Sequence, residues 1–181
     1  MSDSRHSARR RFGEAGRTFS EEAGVRLRDR PAPLFRLLVL AMLVGKPVGA
    51  DVAARAARSL FRAGFRSPRA VLTGDRDRAV SVLNRAGCAP EDDGSAADLC
   101  DVARRVQDEY DGDLRNLGVR SGQDPARLVD EVMKFAGVGR RGAQVFVREI
   151  AAVWPWLRGR FDDDVTAGGS DSRSRGHDAL R

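Results

Sequence analysis

Cysteine is nearly absent: Cys88 and Cys100 are the only two in 181 residues. One precedes Ala-Pro and the other sits inside a helical pattern, so they make no metal-ligand set. A four-thiolate zinc site or iron–sulfur cluster is excluded on count, unless chains share ligands. No metal and no cofactor is expected, and reduced thiols are the default. Long apolar runs are missing as well. The longest, Leu37 to Val44, falls far short of the roughly 20 residues a bilayer-spanning helix needs. The opening stretch MSDSRHSARRRFGEAG has no apolar core of a secretory signal. These absences predict a cytoplasmic protein, nucleoid-associated if bacterial, with no membrane partner. Strand signals are equally scarce, with no alternating apolar–polar run and no Asn-Gly turn.

Lysine is the last scarcity. Lys46 and Lys134 are the only two, so almost all of the 32 basic residues are arginine, set against 26 acidic ones. The formal net charge is +6 and the sequence pI about 10.5. Such a balance suits a polyanionic partner, through phosphate neutralisation and long-range steering. A GC-rich coding bias gives the same abundance of Arg, Ala, Gly and Asp, so charge alone does not choose a partner. Hydrophobic residues make up 41% of the chain, enough for a core in its middle.

That middle reads as helix almost throughout. PLFRLLVLAMLVG is apolar on all sides, as a buried central helix ended by Gly45 would be. Asp51 is the expected N-cap of VAARAARSLFRAG, closed by Gly64. Ser67-Pro68 restarts a short helix, and Asp75 or Asp77 caps the segment that ends at Gly87. Ala96 to Tyr110 places Leu99, Val102, Val106 and Tyr110 on one face. Asp124-Pro125 opens another helix, and Gly142 to Trp154 supplies the last. The expected fold is all-α: a compact multi-helix domain over residues 19–164. Basic residues 1–18 and the Gly/Ser-rich residues 165–181 are expected to be disordered, flexible tails.

Between the last two helices lies FAGVGRRGAQVF. Leu128, Val132 and Phe135 give the first helix an apolar face, and Val145, Phe146 and Ile150 give one to the second. Ala136-Gly137-Val138-Gly139 must reverse direction between them. Glycine at 137 and 139 suits a positive φ or a close backbone approach, while Val138 can plug the space between the helices. The amides of residues 137 to 142 then lie at a helix N-terminus, where the dipole favours an anion. Arg140 and Arg141 add charge beside them. Such an arrangement can hold a DNA phosphate without reading sequence.

LVDEVMKFAGVGRRGAQVF resembles the helix-hairpin-helix of the endonuclease III-like superfamily of DNA glycosylases. The upstream segments FRLLVLAMLVGKPVGADVAARAARSLF, RSPRAVLTGDRDRAVSVLNRAG and ADLCDVARRVQDEYDGDLRNL resemble that superfamily's core helices, in the same order over residues 32 to 155. The resemblance implies double-stranded DNA, damaged or intact, as the partner and a role in base-excision repair. It implies DNA contacts at Gly137, Val138, Gly139, Arg140, Arg141 and Gly142, and at Lys46, where a DNA-contacting glutamine often lies. It also implies a catalytic carboxylate downstream, for which Asp162 and Asp163 are the candidates. Arg141 stands where bifunctional members carry the Schiff-base lysine. A guanidinium stays protonated and cannot act as that amine, so lyase chemistry is not expected. Three readings remain: a DNA-binding protein without strand cleavage, an active monofunctional glycosylase, or a module of the same fold that holds a protein partner.

Overall fold

A computed structural model describes residues 17–88 and 94–158. Asp162 and Asp163 lie outside them, as do most of the two tails. Every regular element among the described residues is helical. In chain order these are α1 (Phe19–Glu22), α2 (Pro31–Val44), α3 (Ala50–Arg62), α4 (Pro68–Leu72), α5 (Arg76–Arg85) and α6 (Gly94–Tyr110). Then come a 3-10 turn (Leu114–Asn116), α7 (Leu117–Arg120), α8 (Pro125–Met133), α9 (Arg140–Ile150) and a second 3-10 turn (Pro155–Leu157). No helix among them is long and apolar enough to cross a membrane.

The centre is α2. Leu34, Phe35, Leu37, Leu38, Leu40, Met42 and Leu43 are completely buried, each side chain contributing about 1.5–3 kcal/mol of transfer free energy. A helix apolar on all sides needs neighbours on all sides, and α3, α6 and α9 pack around it. Arg36 is the helix's one charged residue. Its guanidinium is held below the ordinary range, first by burial and then by the nearby Arg66.

Local chemistry sets most of the helix ends. Ser67 accepts from the Ala70 amide at 3.2 Å and Pro68 follows at the first helical position. Asp75 accepts from the amides of Asp77 and Arg78, and Asp124 from that of Arg127. Several boundaries differ from the sequence reading. The N-cap of α3 is Gly49, and Asp51 sits inside the first turn, exposed and paired with Arg55 one turn on at 3.3 Å. The final helix starts at Arg140 rather than Gly142 and stops at Ile150 rather than Trp154. Pro155 disfavours helical geometry at the residue before it, and the chain turns through Ala151–Val153 into the 3-10 turn.

Two tryptophans pack together at this end. Trp154 is 5% exposed and its Nε1 donates to Asp29 at 3.0 Å. Trp156 stacks on it at 5.8 Å between ring centroids. Tyr110 is also buried, 5.8 Å from the Phe135 ring, and burial pushes its hydroxyl pKa up. The Asp111-Gly112-Asp113-Leu114 stretch turns through two consecutive left-handed residues, Asp111 at φ 52° and Gly112 at φ 76°. This drives Leu114 into the core and lets Asp113 cap the 3-10 turn.

Candidate functional site

The connection from α8 to α9, residues 134 to 139, is built against α2 and α6. Its first half is pinned by Phe135. The Arg105 guanidinium of α6 lies over that ring at 5.2 Å, and Arg105 Nη1 donates to the Lys134 carbonyl at 2.6 Å. Val138 is 5% exposed, so it plugs the space between the helices as its apolar character predicts.

The glycines divide into different roles. Gly137 has φ 71°, the left-handed conformation that non-glycine residues adopt only at a cost. A Cβ there would also lie 2.6 Å from Asp98 Oδ2 and 3.0 Å from Met42 Cγ. Gly139 has φ −81° and ψ 174°, backbone open to any residue, and a Cβ there would meet nothing within 4 Å. The expectation that both glycines serve the turn itself thus holds for Gly137 and not for Gly139. Gly142 is buried against the end of α2, where a Cβ would lie 3.0 Å from the Ala41 carbonyl carbon and collide with its oxygen. It faces inward, toward the helix crossing.

Gly139 is the N-cap of α9, and no side chain caps the helix. The first intrahelical donor is Ala143, whose amide reaches the Gly139 carbonyl at 3.0 Å. The amides of Arg140 to Gly142 therefore precede the helical ladder. No acidic residue occupies this first turn. Arg140 and Arg141 are both exposed, and neither forms an ion pair with a carboxylate among the described residues. The corner thus combines an uncapped, positive helix end, two unpaired guanidinium groups and an unobstructed glycine.

Lys46 belongs to the same corner through a different contact. Its ammonium donates to Asp98 Oδ2 on α6, and the two side chains are 22% and 25% exposed. Gly45 beside it is pressed on the connection: a Cβ there would lie 3.0 Å from both the Gly137 carbonyl oxygen and the Gly139 nitrogen. Cys88 lies close enough for the Lys46 charge to act on it. Burial raises the Cys88 thiol pKa, and Lys46 partly opposes that shift. No cluster of three or more His, Cys, Asp or Glu side chains suited to a metal occurs among the described residues.

Asp98 and Arg105 were not singled out in the sequence. Each acts on a segment 29 residues or more away in the chain, and no local pattern announces such a pairing. No protein-family model, curated protein or solved structure matches the chain.

Proposed function

We propose that the α8–α9 corner is a clip for a nucleic-acid backbone phosphate, of the helix-hairpin-helix kind. The protein would then be a duplex-DNA-binding member of the endonuclease III-like superfamily that its sequence resembles. One observation carries the reading: the N-terminus of α9 is uncapped, free of acidic residues and flanked by the exposed, unpaired Arg140 and Arg141. A phosphate there would accept from backbone amides, be favoured by the helix dipole and be neutralised by two guanidinium groups. Gly139 would let the sugar-phosphate chain approach the backbone closely, since no side chain fills that space. Contacts of this kind fix position on a duplex and carry no sequence information.

At Arg141 the chemistry stops at binding. A lyase needs an amine that can lose its proton and form an imine, and a guanidinium does not. The test combines binding and cleavage on one labelled duplex with an abasic site. The expected result is salt-sensitive binding, with no strand scission and no borohydride-trapped adduct. Failure to bind at low ionic strength would refute the clip, and a trapped adduct lost in Arg141→Gln would refute the absence of lyase chemistry.

A further inference from the structure

We propose that Asp98 is a positioning residue, whose ion pair with Lys46 locks the α8–α9 connection onto the end of α2. The consequence for DNA rests on the phosphate-clip reading, but the lock itself does not. Three segments meet at this point. The left-handed Gly137 brings its Cα against the Asp98 carboxylate, with a built Cβ 2.6 Å from Oδ2 and 2.9 Å from Cγ. Gly45 lies against Gly137 and Gly139, and Lys46, the next residue, reaches across to the same carboxylate. Its backbone is fixed in turn, since the Lys46 amide donates to the Leu43 carbonyl at 3.1 Å.

The charges explain why a pair is needed. A carboxylate directly beneath the connection would repel an approaching phosphate, and Lys46 neutralises it. About three-quarters of each side chain is withdrawn from water, so ionic strength screens this pair less than an exposed one. The Lys46 charge is therefore satisfied by Asp98, which leaves Arg140 and Arg141 as exposed cations of the corner that pair with no carboxylate among the described residues. An unpaired charge in so enclosed a place is unfavourable, so removing either partner should loosen the connection more than either truncation alone suggests.

The lock is read without DNA, by amide hydrogen exchange in the free protein. Val138 donates to the Phe135 carbonyl at 3.1 Å and Ala143 to the Gly139 carbonyl at 3.0 Å, so both report on the connection. Asp98→Asn keeps the shape of the side chain, and Lys46→Met keeps most of its stem. Each should speed exchange at Val138 and Ala143 by about tenfold, a change of about 1.4 kcal/mol in local opening. Amides in the middle of α2 should not change. The double variant should exchange little faster than either single one, since the coupling is then already lost. Unchanged exchange in either single variant would overturn the proposal, as would equal acceleration throughout α2, which would make the pair a general support. Duplex binding by the same variants reports separately on the phosphate clip. If exchange responds while the unmodified protein binds no DNA, the lock stands and the clip fails.

Discussion

Gly142 and Ala41 touch backbone to backbone. The α9 glycine leaves no room for a Cβ, which would lie 3.0 Å from the Ala41 carbonyl carbon and overlap its oxygen. That oxygen already accepts the Gly45 amide at 3.1 Å, so the carbonyl cannot swing aside without breaking the last turn of α2. Substitution of Gly142 by alanine should therefore force α9 off α2 and cost about 2–3 kcal/mol. Urea unfolding measures this as a lower midpoint with an unchanged slope.

Gly137 and Gly139 look alike in the sequence and should behave oppositely. Gly137→Ala meets both a left-handed φ and the Asp98 carboxylate, and should cost about 2 kcal/mol of stability. Gly139→Ala meets neither, so its unfolding free energy should stay within about 0.5 kcal/mol of the parent protein. The added methyl group occupies the space where a phosphate would approach. Duplex affinity should then fall by about tenfold, the loss expected when a charge-assisted backbone contact is blocked. A Gly139→Ala protein of normal stability and normal affinity would place DNA elsewhere.

The N-terminal turn depends on one residue near the other end of the domain. Glu149 of α9 accepts from the amides of Phe19 at 3.3 Å and Ser20 at 3.1 Å, and from the Ser20 hydroxyl. Thr18 and Glu21 complete a reciprocal capping box on the same turn. Glu149→Ala removes the long-range acceptor and should cost about 1.5 kcal/mol. Proteolysis near residue 20 should become faster while α2 remains protected.

Much of the fold was legible because helix ends are local events. Ser67-Pro68, Asp75 and Asp124-Pro125 act within three residues of themselves, and Gly64 and Gly87 follow their helices as read, each at a positive φ. Asp51 misled because a residue suited to capping also suits the first turn, where its charge meets the helix dipole. Thr18 falls in the N-terminal tail of the sequence reading, yet the Thr18-Phe19-Ser20-Glu21 spacing carries a capping-box signal and the box marks the start of α1. The corner was half legible. Its glycines and arginines are contiguous, so their convergence could be read directly. The support beneath them could not, because Lys46 and Asp98 are 52 residues apart, and only the packing of α2 against α6 brings them together.

The most direct test of the phosphate clip is the salt dependence of duplex binding, followed by fluorescence anisotropy for the parent protein and the Arg140→Ala/Arg141→Ala variant. Each phosphate neutralised contributes roughly −0.9 to the slope of log affinity against log salt. If both guanidinium groups face the backbone, the variant should bind more weakly with a slope shallower by roughly 1.8, and should unfold at the same denaturant concentration. An unchanged slope and affinity would contradict the account and remove the corner from any role in holding nucleic acid.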